Sequence, residues 1–239
     1  MRRVFAAGVA LALSIGSAGA TDPVTVSFEG QVERQFQHGT GLGNWDWVGV
    51  ARVAREQGGL RFKNQGSVDD RGTVAIDAGY KGIQTEGALE LRLFDKLRGR
   101  AGIRGTAFGP ELHRLYFVAG LETTLMFDTG LEASMLVSER GVASFELSLG
   151  YEWQPLERLA VLPFVELGVS TGEDLPIGQR SGLGRVEAGV RVRYEILPEI
   201  APYVGVTWNH LLGGSGDLVS DAGDRTANVA FILGLRLSF

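Results

Sequence analysis

The sequence predicts an all-β protein: a closed antiparallel transmembrane β-barrel of about twelve strands. Three observations predict it. Apolar and polar residues alternate with period two through most of the chain. The segments between alternating stretches are short and long in turn. The chain opens on an export signal and closes on an apolar-alternating stretch whose last residue is Phe239.

The N-terminus is excluded from the fold. Arg2 and Arg3 form a basic start, Val4 to Ile15 is apolar, and Ala18-Gly19-Ala20 supplies the small residues a signal peptidase needs. Residues 1–20 are therefore expected to be a secretory signal peptide, and 21–239 the barrel. Removing Arg2 and Arg3 lowers the basic count from 23 to 21, against 28 acidic residues. That balance disfavours a nucleic-acid partner, which calls for basic excess. The chain has no cysteine, so ladder and burial must hold it without disulfides. After Thr21 no apolar run approaches the roughly 20 residues of a membrane helix, so any span is made of strands.

The clearest strand is Arg185 to Ile196. Arg185, Glu187, Gly189, Arg191, Arg193 and Glu195 alternate with Val186, Ala188, Val190, Val192, Tyr194 and Ile196. It is longer than the five or six residues usual in a globular sheet. The same pattern gives strands at 24–36, 45–54, 58–67, 86–95, 97–107, 113–123, 127–138, 141–153, 157–170, 183–196, 201–211 and 226–239. The stretch 72–81 reads as part of an outer loop, although an extra hairpin there keeps counts of ten to fourteen open. Asp95-Lys96, 124–126, 154–156 and 197–201 are short connections; 69–86, 171–182 and 212–225 are long. Outer-membrane barrels have short periplasmic turns and long outer loops, and an even count puts both termini on the short-turn side.

Charge decides which face meets lipid. A charged side chain at the midplane of a barrel's outer face costs roughly 2–4 kcal/mol. The charged faces must point inward: Glu29, Glu33, Arg61, Lys63, Glu90, Arg92, Arg98, Arg100, Arg104, Glu132, Glu146, Glu152, Glu166, Arg185, Glu187, Arg191, Arg193, Glu195 and Arg236. Both signs are present, so Arg–Glu pairing across strands is expected, with a closed or very narrow lumen. An open edge would leave backbone groups unpaired in lipid, so the sheet must close. Tyr151, Trp153, Tyr194, Phe127 and Phe239 lie near the short-turn end, and Phe36, Trp45, Trp47 and Trp208 near the other, as aromatic girdles do.

The candidate metal ligands are His38, His113 and His210, each at the predicted outer rim, with His113 across the barrel from the other two. Ordinary solvated loop histidines would look the same. Asp69, Asp70, Asp77, Glu173, Asp174, Asp217, Asp221 and Asp224 populate the outer loops, where they could bridge lipopolysaccharide through divalent ions or simply be solvated. Ser138 near that rim is the one nucleophile considered. There is no Gly-x-Ser-x-Gly elbow, phosphate cradle or zinc spacing, so no enzyme is expected.

The stretch "SGLGRVEAGVRVRYEILPEIAPYVGVTW" (Ser181 to Trp208), the Gly-Asp-Arg-Thr loop (Gly223 to Thr226) and the terminal Phe strand resemble the outer-membrane copper resistance protein B family. Weaker likeness runs through "ERLAVLPFVELG" and "HRLYFVAGLE" (Glu157 to Gly168, His113 to Glu122). The resemblance implies a barrel in the outer membrane of a Gram-negative bacterium. It also implies copper ion as cargo or ligand. Separately, the apolar-alternating last strand ending in Phe239 resembles the C-terminal signal by which the outer-membrane assembly machinery recognises its substrates. A Met- and His-rich segment precedes the barrel in that family. Here alternation starts about four residues after the predicted signal peptide, and the soft or imidazole ligands beyond it are Met126, Met135, His38, His113 and His210. Three roles remain open: metal-associated or small-solute passage, a narrow general channel without metal, and a structural or surface-interaction barrel.

Overall fold

The structure is a computed structural model that describes residues 24–37, 43–70, 73–74, 82–126 and 129–239. The signal peptide, His38, Asp77, Phe127 and nearly all of 72–81 lie outside the described residues.

The strands are β1 (Thr25–Gln37), β2 (Gly43–Ala54), β3 (Gly58–Asp69), β4 (Ile83–Phe94), β5 (Leu97–Ala107), β6 (His113–Thr124) and β7 (Thr129–Ser138). They continue as β8 (Ala143–Tyr151), β9 (Trp153–Leu156), β10 (Leu159–Ser170), β11 (Gly182–Tyr194), β12 (Ile200–Leu211) and β13 (Ala227–Ser238). Each pairs antiparallel with its neighbour in sequence. Segments β8 and β9 both pair with β10 and form two parts of one wall strand, so the barrel has twelve positions. The expected strand ends agree within three residues. One difference is that the eighth strand runs on to Leu156 after a break at Glu152, with a register shift against β10 between Leu159 and Val161.

Closure occurs between β13 and β1, in register from Glu29↔Ser238 to Gln37↔Ala230. The last residue belongs to this seam: Phe239 N donates to Phe28 O and Phe28 N to Phe239 O, each at 2.8 Å. Without the seam, two strand edges would carry unpaired amides into lipid at several kcal/mol each.

Burial is inverted relative to a soluble protein. The outward row of β13 (Val229, Phe231, Leu233, Leu235) is exposed, as are Leu89, Leu91 and Phe117 on other strands, while Glu86 inside is 2% exposed. Only a nonpolar solvent outside makes this favourable. The girdle residues Tyr151, Trp153, Tyr194 and Phe239 at one end, and Phe36, Trp45 and Trp208 at the other, are exposed. Trp47 lies over Gly66 and donates to Asn64 Oδ1 at 2.8 Å.

One element was not legible as such. The loop read at 212–225 contains helix α1 (Gly213–Asp221). Three glycines in nine residues make it a poor intrinsic helix. Contacts support it instead: Val219 packs on buried Leu211, and the fully buried Ser215 accepts a bond from Arg180 N at 3.0 Å.

Inside, a glycine makes room for an aromatic ring. Tyr203 on β12 lies over Gly234 on β13, its cross-strand partner, and any Cβ there would overlap the ring. Gly234→Val is expected to cost about 1–3 kcal/mol by overpacking, read as a lower urea midpoint of the folded barrel in detergent. The double substitution Gly234→Ala with Tyr203→Leu should recover much of that loss.

Candidate functional site

The lumen is the site, and strand phase builds it. On β4, residues Gln84, Glu86, Ala88 and Glu90 are buried while Leu89 and Leu91 are exposed. Glu86 therefore sits inside, between β3 and β5. It accepts from Arg61 Nη1 at 3.1 Å, and from Arg104 Nε at 3.0 Å and Nη2 at 2.9 Å; Arg100 Nε approaches at 3.3 Å. The lattice spreads along the wall. Arg100 Nη1 meets Glu132 on β7 at 2.7 Å, and Arg104 Nη1 meets both oxygens of Glu146 on β8 at 3.0 Å. Arg52 on β2 spans to Glu90 at 3.4 Å and Glu122 on β6 at 3.1 Å. A buried ion is least costly when paired and hydrogen-bonded, and the guanidinium fork lets one arginine serve two strands.

A second group lies around the seam. Glu33 on β1 accepts from Tyr203 Oη at 2.9 Å and Gln35 Nε2 at 3.0 Å, and pairs with Arg191 on β11 at 3.2 Å. The Arg191 guanidinium lies 4.2 Å from the centroid of the Phe164 ring, a cation–π contact. Arg193 joins Glu152 at 2.6 Å and Glu195 at 3.2 Å, Arg185 pairs with Glu187, and Arg236 reaches Glu29 at 3.4 Å. Space left inside includes three cavities, of about 320, 260 and 130 Å³. Such volumes have room for small ions and waters.

The expected pairing of inward charges is thus observed for most of the named residues. Arg92 and Arg98 face each other in register near the short-turn end, where both are exposed. Lys63 and Glu166 line the two smaller cavities. Sequence reasoning did not single out Arg52, Glu86 or Glu122. The phase of Glu90 and Arg92 carried back two steps would have placed Glu86 inside. Arg34 was also missed. It faces outward near the outer rim, pairs with Asp70 and lies 5.3 Å from the Phe36 ring and 5.4 Å from that of Trp45.

Of the candidate ligands, His113 is exposed at the start of β6 with Nε2 3.2 Å from Pro110 O. His210, near the outer end of β12, stands edge-on to Trp208 at 5.5 Å. Strands β6 and β12 are five positions apart in the closed order of twelve, so these two imidazoles do not converge. Among the described residues no group of three His, Cys, Asp or Glu is placed to hold a metal ion. Ser138 is buried, and its Oγ accepts from Val142 N at 3.2 Å, closing the β7–β8 turn.

The loop after β10 reaches back over three wall strands. Asp174 is buried and accepts from Arg114 on β6, through Nε at 2.5 Å and Nη2 at 2.8 Å, and from Arg140 at 3.1 Å. In the same loop Gln179 Nε2 donates to Ser144 Oγ at 2.8 Å, and Ile177 is 1% exposed. The loop is therefore strapped across the outer mouth.

Comparison with known proteins bears on this geometry. The family model described as copper resistance protein B precursor matches residues 30–239. The chain belongs to the copper resistance protein B family. Copper resistance protein B of Escherichia coli is 33% identical over 139 residues, which is 58% of this chain and 47% of that protein. The homolog of Pseudomonas syringae pv. tomato (strain ATCC BAA-871 / DC3000) is 33% identical over 132 residues, 55% of this chain and 45% of that protein. The chain thus spans about half the length of the curated relatives it matches. Among solved structures, the NanC porin aligns with a TM-score of 0.58 at 13% identity, covering 87% of this chain and 98% of that one. The KdgM porin aligns at 0.51 and 13%, covering 89% and 99%. These likenesses carry the outer-membrane barrel fold, and the family member described here is an outer-membrane protein.

The strap should respond to pH. The Arg114 hydrogen bond, with its charge and that of Arg140, holds the Asp174 carboxyl below the ordinary value of 3.8 against the opposing effect of burial. A depressed carboxylate value makes the contribution complete above the ordinary value and lost as pH falls through the folded one. Asp174→Asn is therefore expected to speed protease cleavage within 171–181 at neutral pH while the barrel stays folded. The wild-type loop should approach the same rate only in acid well below pH 4.

Proposed function

We propose that this protein is a narrow outer-membrane conduit for small ions within copper resistance, and not a store for copper. The observation that supports it is the arginine–glutamate lattice, which enters the lumen from several strands and leaves cavities of about 320, 260 and 130 Å³ between its members. Twelve strands lie between barrels filled by side chains and barrels holding an aqueous channel. A dense network of paired charges inside such a width keeps the path small and polar. The lumen donors are carboxylates and guanidinium groups, which fit poorly to a resident copper ion that prefers imidazole and sulfur.

In planar bilayers the purified protein is expected to conduct small salts with a conductance well below that of sixteen-strand porins, and to exclude sugars. A silent barrel sinks the conduit.

A second reading concerns the rim. Only β13 separates His210 on β12 from β1, which ends at Gln37, one residue before His38 in the sequence. We infer that His210 and His38 form a weak copper contact there, with His113 apart. Equilibrium dialysis should show one weak Cu(II) site that His210→Ala removes. Unchanged uptake by that variant, or none above background in wild type, counts against it.

A further inference from the structure

The lumen charges differ in how they are held. In the strand interiors Arg52, Arg61, Arg100, Arg104, Arg191 and Arg193 each pair directly with carboxylates. Lys63 and Glu166 do not. Among the described residues, neither the Lys63 ammonium nor the Glu166 carboxylate makes a side-chain hydrogen bond or an ion pair within 4.0 Å. Each feels longer-range charges of both signs: Glu132, Arg104, Arg61 and Glu146 for Lys63, and Glu187, Arg185, Lys63 and Arg191 for Glu166.

Their placement is specific. Lys63 is halfway along β3 and Glu166 halfway along β10. These strands are six positions apart in the closed order, so the two residues stand on opposite walls at mid-height. Both side chains line the cavity of about 260 Å³ and also the one of about 130 Å³. One cation and one anion thus face the same small polar space, while the surrounding charges neutralise one another.

We propose that Lys63 and Glu166 are the charge-selecting pair of the conduit, the residues whose sign decides which small ions pass. This rests on the conduit reading. The paired charges present little net field at a distance of several ångströms, because each arginine is offset by a carboxylate in contact with it. An unpaired charge in a low-dielectric, narrow space keeps its field, and an entering ion must pass it before solvent screens either. Lys63 lowers the barrier to small anions and Glu166 the barrier to small cations. Their balance makes the wild-type lumen weakly selective. A charge-sorting role also accounts for the lack of a direct partner, which in a purely structural lattice would cost stability without return.

The test is the reversal potential of reconstituted barrels under a potassium chloride gradient, with folding checked by the mobility of unboiled samples on gels. Lys63→Gln should raise the potassium-to-chloride permeability ratio by roughly threefold or more, and Glu166→Gln should lower it to a similar extent. Lys63→Arg should leave it unchanged. Because the chain has no cysteine, Lys63→Cys and Glu166→Cys provide a second reading. Charged methanethiosulfonate reagents should reduce the conductance of both variants and spare the wild type. Conducting barrels whose ratio ignores both glutamine substitutions overturn the assignment and leave the conduit standing. Failure of the reagents to affect either cysteine variant likewise overturns it. Silence in the wild type and in every variant overturns the conduit and the assignment with it.

Discussion

Everything in this structure depends on one requirement: in hydrocarbon, each backbone amide and carbonyl must find its partner within the protein. The β1–β13 seam meets it, down to the terminal residue, where Phe28 and Phe239 exchange two backbone bonds. Once the sheet is closed, alternation has only two destinations. Valine, leucine and phenylalanine rows face lipid, and the charged rows face a narrow lumen. The interior network follows from closure and is not a separate feature of the chain.

That network explains how a small barrel tolerates so many charges. Glu86 contacts three arginines, each drawn to a further carboxylate or hydroxyl. Burying charges is expensive, and removal of one member of a buried pair commonly costs about 3–5 kcal/mol because its partners lose their counter-charge. The lattice therefore couples β2 through β8 into a rigid wall, whereas the seam wall relies on Glu33, Tyr203 and Arg191. Rings seated on glycines, such as Tyr203 over Gly234, fill what charge pairs leave. The outer mouth is closed differently, by a loop strapped through Asp174 and a helix resting on the ends of β11 and β12.

Function follows from what this filling leaves open. Cavities among paired charges leave room for ions, and the chain belongs to the copper resistance protein B family. Likeness to the NanC and KdgM porins is a likeness of fold, at 13% identity, and sets no cargo.

The sequence by itself determined the barrel, its strand boundaries to within three residues, and the inward sense of its charges. Period two is a local property: a residue's neighbours two places away reveal its face, and the penalty for charge in lipid settles which face is which. The family was legible too, in the stretch from Ser181 to Trp208, which lies within the matched region. The tertiary structure alone decided who pairs with whom. Arg114 finds Asp174 sixty positions away and Arg191 finds Glu33 across 158, because closure and stagger set those distances and no local pattern encodes them. Helix α1 was hidden for the same reason, since its glycine-rich segment is helical only against the strands beneath it. The inward position of Lys63 and Glu166 could be read from alternation. That they lack direct partners and face each other across one cavity could not, because it depends on twelve strands having closed around them.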